Sequence, residues 1–403
     1  MLLVQQLLQT KTFKDLENEH GVFASFDKSG KFWSLNYDQI LSKESDLLAQ
    51  QCRGLILTCA DGKSLNPIAK EANNGLDYSD ICPGSTAILA APLFRFFNEG
   101  QGAAAKINWD NPDLKIYEKM DGSLIIVWYN SFSNEWNVAT RSVPRADLLM
   151  DNGLYTFRTL FEKVLIETTG ITFGVWSDKL NQDITYCFEL CSQYNKIVVS
   201  YPISSITLIA ARNIKTLQEI DISELDIGIR HVRSYSTMSV AELVNWVSTL
   251  NPLEHEGVVV RDSNFNRIKV KNANYVAYSK VRDSLGHSER NCMELILLGK
   301  DDDVASFLPE EIVQNLAQLK VKLNALIRHY DEIYQSVAKE ATDRKSFALL
   351  IAKNKELWGA PLFQIYARKC SDVRDFIEKN KKNGSYSAGF LDKLLDLTKS
   401  FSV

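Results

Sequence analysis

No stretch of this sequence comes near the roughly 18 uninterrupted apolar residues that a membrane-spanning helix needs, so no partner membrane is expected. Cysteine is scarce: seven residues stand at irregular spacings (52, 59, 82, 187, 191, 292, 370). An odd, unpatterned set excludes a disulfide framework and points to reduced thiols and a cytoplasmic setting. Cys187 and Cys191 are four apart but lack a second Cys or His pair, so they read as small buried thiols rather than a zinc site. Only five histidines occur, all scattered, and His255 reads as an ordinary loop residue. Neither sign of charge dominates, with 46 Lys+Arg against 50 Asp+Glu and a net charge of −4. That excludes a histone-like basic coat while leaving room for a local basic groove. Internal repeats and low-complexity tracts are also missing. The opening MLLVQQLLQTKTFKDL has neither a leading positive charge nor a small-residue cleavage site, and it reads as a first helix rather than a signal peptide.

What remains is an ordinary globular composition, 45% hydrophobic and 24% charged, over 403 residues. That length predicts two or three domains. Up to about residue 280 the chain alternates short β-branched or aromatic runs with turn signals: GVFASF, KFWSLNY, RGLILT, LKIYEK, GSLIIVWY, EWNVAT, ITYCFEL, KIVVSY, SITLIAAR, EGVVV and RIKVK. Helices are expected around 152–168 and 239–249. This is the pattern of an α+β, antiparallel-rich domain spanning 1–280. From 281 to 403 the period becomes helical, as in Ile312, Leu316, Leu319, Leu323 and Ile327. Further helices are expected at 345–357, 371–381 and 387–400, with a break at 383–385. Asp301–Asp303 reads as a helix start, because acids favour that end of the dipole. Lys379, Lys381 and Lys382 form a small basic cluster that reads as a solvated face, with RNA-backbone contact as the alternative.

Three segments carry chemistry. Lys119-Met120-Asp121-Gly122-Ser123 places a lysine at the lip of a sheet beside a tight-turn dipeptide, joined to a strand (SLIIVWYN) apolar on both faces and so central. Desolvation or neighbouring cations favour the neutral amine that a nucleophile requires, whereas the bland alternative is a surface hairpin lysine. In Arg267-Ile268-Lys269-Val270-Lys271 the period of two puts three cations on one strand face, a solvated edge or a surface for a polyanion. Glu256-Gly257-Val258-Val259-Val260 is a core strand headed by a carboxylate, as a metal-bridged phosphate site uses.

In this order the segments resemble the covalent nucleotidyltransferase superfamily of nucleic-acid ligases and RNA capping enzymes. Lys119-Met120-Asp121-Gly122 matches its Lys-x-Asp-Gly motif. Arg53-Gly54 lies upstream, Phe188-Glu189-Leu190 resembles the third motif, Glu256–Val260 the fourth, and Lys269-Val270-Lys271 the fifth. Within the superfamily the chain is similar to the T-even phage RNA ligase 1 family. Arg95-Phe96-Phe97-Asn98 stands where that family has Lys-Phe-Phe-Asn. The stretch from Asn195 through Tyr201 to Arg212 resembles its block after the third motif, and Tyr275 follows the fifth at its spacing. An all-helical tail fits this family, whereas DNA ligases and capping enzymes append an all-β domain. Two departures stand out: Arg95 keeps the charge of the family's lysine but is planar, and Thr140-Arg141-Ser142 lacks a common glycine.

The resemblance implies an ATP-dependent RNA ligase. Lys119 would attack the ATP α-phosphate, AMP would pass to an RNA 5′-phosphate, and a 3′-hydroxyl would displace it. Lys269 and Lys271 would neutralise phosphate oxygens and hold Lys119 partly deprotonated. Arg53 and Arg95 would hold ribose or phosphates, Phe97 would pack on adenine, Glu189 would accept from ribose, and backbone near Glu118 would read the base. Glu256 would hold Mg²⁺ or Mn²⁺, and Arg141 and Tyr275 would contact RNA. The implied partner is RNA with 5′-phosphate and 3′-hydroxyl ends, as in a nicked tRNA anticodon loop, acted on by a monomer in a phage-infected cell. The alternatives are a DNA ligase or capping enzyme, and a catalytically silent RNA-end binding protein.

Overall fold

The computed structural model describes the chain apart from residues 39–40, 70–75, 151–152, 284–287, 300–309, 354–357, 382–385 and 402–403. The expected helix start at Asp301–Asp303, the break at 383–385, and Lys382 lie outside the described residues. The chain divides into two compact units, Met1–Asn272 and Ala273–Val403. The division falls at Asn272 rather than at 280 because residues 273–283 already form a helix. Asn272 is wholly buried and closes the first unit: its amide N–H donates to the Glu256 carbonyl, and its side chain donates to the Val247 and Leu250 carbonyls.

The first unit is built on three sheets. The first runs β1 (Val22–Phe26), β2 (Phe32–Tyr37), β3 (Arg53–Cys59), β6 (Thr86–Ala90), all antiparallel. Trp33, Leu35, Leu55 and Leu57 pack it onto residues of α1 (Leu3–Leu7), α2 (Phe13–His20) and α3 (Leu47–Gln51). The expected single N-terminal helix is two. Thr12 caps α2 by accepting from the Asp15 N–H, while Asp15 reaches back to the Thr12 N–H, so the sequence restarts a helix there. A two-stranded ribbon pairs β4 (Ile68–Ala69) with β5 (Leu76–Asp77).

The second sheet has the order β10 (Glu135–Thr140), β9 (Ser123–Asn130), β11 (Ile184–Cys191), β12 (Ser205–Asn213), β13 (Glu219–Ile220). β9 is central, as its two-sided apolarity requires. Its Ile125 and Val127 join Tyr186 and Phe188 against Phe161 of α4 (Phe157–Thr169) and Trp176 of α5 (Phe173–Ser177). Its Ile126 and Trp128 pack on Phe32, Ile56 and Leu89 of the first sheet. The third sheet has the order β14 (Ser234–Tyr235), β8 (Lys115–Lys119), β15 (Gly257–Arg261), β16 (Arg267–Lys271), β7 (Phe97–Asn98). Its pairings are antiparallel except β7 with β16, which is parallel. Ile116, Val258, Val260, Ile268 and Val270 face Leu243 and Val247 of α6 (Val240–Thr249). Period-two alternation then turns Lys119, Lys269 and Lys271 to the opposite face.

Two sequence expectations change here. Asp121-Gly122 is not a hairpin turn, because β8 and β9 belong to different sheets and the dipeptide carries the chain between them. The KIVVSY run at 196–201 is not a strand. The Asp121 carboxylate takes the Val198 and Val199 N–H groups, both at 2.7 Å, which removes them from any ladder.

The described elements of the second unit are all helices: α7 (Ala273–Asp283), α8 (Ser288–Leu297), α9 (Glu310–Glu340), α10 (Arg344–Ala352), α11 (Gly359–Tyr366), α12 (Val373–Lys379) and α13 (Ala388–Ser400). Leu323, Ile327 and Tyr330 of α9 meet Phe347, Leu362, Ile377 and Leu394 in its core. The basic cluster is engaged locally: Lys379 pairs with Asp375 and Lys381 with Glu378, each at 2.8 Å.

Replacing Asp121 by Ala strands two buried N–H groups and removes two charge-assisted bonds. The expected cost is about 3 kcal/mol, measured by urea unfolding.

Candidate active site

The site is assembled from one residue row across the third sheet. Gly257 pairs with Lys119 on one side and with Lys271 on the other. Glu256 precedes Gly257 and is 3% exposed. One of its carboxylate oxygens accepts from Lys119 Nζ at 2.7 Å, and the other meets Lys271 Nζ at 2.8 Å. Gly257 makes this geometry reachable. Its φ is +144°, and a Cβ there would lie 2.2 Å from the Val270 carbonyl oxygen. Burying a carboxylate between two ammonium groups satisfies all three charges at once.

The facing wall comes from the second sheet and from β3. Glu189 of β11 accepts from the Gly122 N–H at 3.1 Å. Gly122 is obligatory for proximity, since a Cβ would sit 2.4 Å from the Leu190 carbonyl oxygen. Burial pushes the Glu189 carboxyl up to about 7, Glu256 adding to the rise while Lys119 and Arg53 oppose it. Burial likewise lowers Lys269 to about 7, helped by the cations Lys119, Arg53 and Lys271 and opposed by Glu256. Arg53 begins β3, and its Nη1 is buried without a hydrogen-bond partner. Phe96 lies between these cations, 5.7 Å from the Arg53 guanidinium and 5.0 Å from Lys269 Nζ. Arg53, Phe96, Glu118, Lys119, Glu189 and Val259 line a small solvent-open cleft.

The structure therefore brings Lys119, Glu189, Glu256, Lys269, Lys271 and Arg53 together. The aromatics lining the cleft are Phe96 and Tyr117, whereas the expected Phe97 is buried in β7. Arg95 is not among the residues lining the cleft. Its guanidinium stacks 4.3 Å from the Tyr37 ring and 5.0 Å from Phe97, and donates to Ser42 Oγ. The Glu118 backbone N–H is already used by the Arg233 carbonyl, and its side chain lies 3.9 Å from His255 Nδ1. Arg141 stands 5.8 Å from the Tyr37 ring, on the first-sheet side. Tyr275 is on α7 in the second unit. The three-cation face of β16 splits by partner. Arg267 is buried against Glu219 at 2.7 Å, and Arg212 holds the other Glu219 oxygen at 2.7 Å. Single residues distant in sequence gave no signal for this ion-pair floor, nor for Phe96. Among the described residues no group of three or more His, Cys, Asp or Glu side chains could hold a metal ion, and Cys187 and Cys191 are free and buried.

Chemically, the cleft offers a primary amine beside a carboxylate, ringed by Lys269, Lys271 and Arg53. An excess of buried cations over carboxylates favours a phosphate-bearing ligand.

Comparison with known proteins assigns the chain to a family. The family model described as RNA ligase, of T4 RNA ligase 1 type, matches residues 51–275. The chain belongs to that family. A protein of Autographa californica nuclear polyhedrosis virus, named bifunctional polynucleotide kinase/RNA ligase, is 25% identical over 353 residues, covering 85% of this chain and 45% of that protein. An immediate-early protein ICP-46 homologue of Invertebrate iridescent virus 3 is 22% identical over 249 residues, 61% of this chain and 53% of that one. The chain thus spans about half the length of the curated relatives it matches. Among solved structures, an archaeal ATP-dependent RNA ligase aligns with 100% of this chain and 97% of its own at 13% identity and a TM-score of 0.46. A Naegleria gruberi RNA ligase mutant with ATP and Mn aligns with 42% and 52% at 10% identity and a TM-score of 0.30.

The two groups near 7 give opposite pH signatures. A raised carboxyl leaves the fold at full stability below about 4.5 and costs stability as pH climbs through 7. Glu189→Gln is therefore expected to raise the Tm at pH 8 and leave it unchanged near pH 4.5. A lowered lysine costs stability as pH falls from about 10.5 through 7. Lys269→Met is expected to raise the Tm at pH 6 and to have little effect near pH 10. Differential scanning calorimetry across that range checks both.

Proposed function

We propose that this chain is an ATP-dependent RNA ligase that joins 5′-phosphate and 3′-hydroxyl RNA ends through lysyl-AMP. The observation that carries this reading is the Lys119 amine, 2.7 Å from the buried Glu256 carboxylate in a cleft lined by further cations. Lys119 Nζ attacks the α-phosphorus, an N–P bond forms, and the bond to pyrophosphate breaks. The amine's proton leaves to solvent as the bond forms, and Glu256 stays an anion that holds the amine in place. A 5′-phosphate oxygen of RNA next attacks the AMP phosphorus and the N–P bond breaks, returning Lys119 to its amine. A 3′-hydroxyl finally attacks the activated 5′-phosphate, sealing the strand and releasing AMP. In-line geometry and fixed positive charge lower each barrier.

Lys269 and Lys271 supply that charge. Arg53, with a free Nη1, takes a phosphate or ribose oxygen, and Glu189 accepts from ribose hydroxyls. Phe96 offers the ring for adenine, with Phe97 behind it and Glu118 at the base edge. Arg95 serves the outer phosphates or the RNA. One buried carboxylate, Glu256, is a donor set suited to Mg²⁺ or Mn²⁺ arriving with the nucleotide, since such ions keep several waters and bind mainly phosphates. That ion would neutralise developing phosphate charge. Arg141 and Tyr275 are assigned to RNA. Residues 1–280 act as the adenylyltransferase part and 281–403 select the RNA, a broken tRNA anticodon loop in a repair role. The acting species is a cytoplasmic monomer in a virus-infected cell.

Incubation with α-labelled ATP and Mg²⁺, then denaturing electrophoresis, tests the reading. Label is expected on the wild-type band and absent from Lys119→Ala, with Glu256→Ala reduced at least a hundredfold. Preference for ATP over GTP, and sealing of RNA rather than DNA ends, would separate it from a capping enzyme or DNA ligase. An AMP-free wild type that takes no label points to a silent RNA-end binding protein.

A further inference from the structure

A second row of residues crosses the first sheet and ends in the cleft. Asn36 of β2 is directly opposite Phe23 of β1 and Arg53 of β3, so the three share one face. Arg53 lines the Lys119 cleft, while Phe23 lines an open groove with Ser25, Asn36, Arg141 and Ser142. The row therefore leads from an edge strand to the nucleophile.

The groove is not a finished protein surface. The Phe23 ring is 36% exposed, and no described aromatic ring packs on it. Asn36 Oδ1 is buried without a hydrogen-bond partner, although its amide nitrogen donates to Ser142 Oγ at 3.1 Å. Arg53 Nη1 is equally unpartnered. A lone acceptor and a lone cationic donor thus follow an exposed ring along one line. Arg141 adds charge at the wall, held close because the Cβ position of Gly54 lies 3.3 Å from the Arg141 Cα. The one carboxylate lining the groove, Asp38, is turned onto its own loop, accepting from the Leu41 N–H at 2.9 Å.

We infer that the Phe23–Asn36–Arg53 row is the track along which single-stranded RNA reaches Lys119. A base stacks on Phe23, a 2′-hydroxyl donates to Asn36 Oδ1, and a phosphate sits on Arg141. Stacking rings interleaved with cations suit single strands of any sequence, and an acceptor aimed at a 2′-hydroxyl distinguishes RNA from DNA. This inference rests on the ligase reading for its destination, but its measurement does not.

The test is fluorescence anisotropy of the full chain with a labelled, 5′-phosphorylated 12-nucleotide RNA and the same-sequence DNA, alongside AMP labelling. Phe23→Ala is expected to weaken RNA binding about tenfold, Phe23→Trp to restore it, and both to take AMP label as wild type does. Asn36→Ala is expected to lower RNA affinity several-fold while leaving DNA affinity unchanged. Arg141→Ala is expected to reduce the slope of log affinity against log salt by about one. Circular dichroism melts confirm that each variant is folded. RNA affinity within twofold of wild type in Phe23→Ala overturns the track, and a change in that variant's sedimenting mass would assign the groove to protein contact instead. Wild type that binds RNA through Phe23 yet takes no AMP label would sink the ligase reading and leave the track standing.

Discussion

The active cleft depends on one buried carboxylate shared by two lysines. Glu256 is too deeply buried to stand alone as an anion, and Lys119 and Lys271 approach it from the strands on either side of its own. That arrangement forces Gly257 into the register position between them. It also demands a rigid backing, which α6 provides by covering the opposite face of the sheet. Asn272 then pins the end of β16 to the end of α6, so the two lysines and the carboxylate cannot drift apart independently.

Below that level ion pairs tie the second sheet and the segment after it to the third sheet. Arg267 and Arg212 clasp Glu219, and Arg261 holds Asp221 at 2.6 Å. Buried ion pairs of this kind contribute little net stability against an apolar replacement, because desolvation offsets the attraction. Their value lies in fixing where the strands end and in keeping the cleft positive without presenting every cation to solvent. The same economy explains why Lys269 and Glu189 are held near neutrality: a full set of charges, unliganded, would be expensive to bury.

Much of this was legible in the sequence, for reasons that particular residues make plain. The Arg267-Ile268-Lys269-Val270-Lys271 alternation revealed a strand with a cationic face, and SLIIVWYN revealed a central strand. Residue spacing could not show that Arg267 would be taken by Glu219, because pairing between elements leaves no periodic trace. Val198 and Val199 have strong strand propensity, yet the Asp121 carboxylate captures their amides, so a tertiary contact overrides local preference. The choice between Phe96 and Phe97 turns on the face that a two-residue strand presents, which neighbouring aromatics in sequence do not declare. The first helix split at Thr12 because capping outweighed the apolar pattern, a signal that was present but short.

Lys119 and the carboxylate it donates to are 137 residues apart in the chain. β7, which completes the sheet, must wait longer still for β16. During synthesis the first sheet and its helices can close early, since their strands all lie before residue 91. The third sheet cannot close until residue 271 has emerged, and non-local pairing of that kind is slow to form. Lys119 therefore waits 137 residues of a 403-residue chain before Glu256 is made. The row that joins Lys119, Glu256 and Lys271 is complete only when both β15 and β16 have paired.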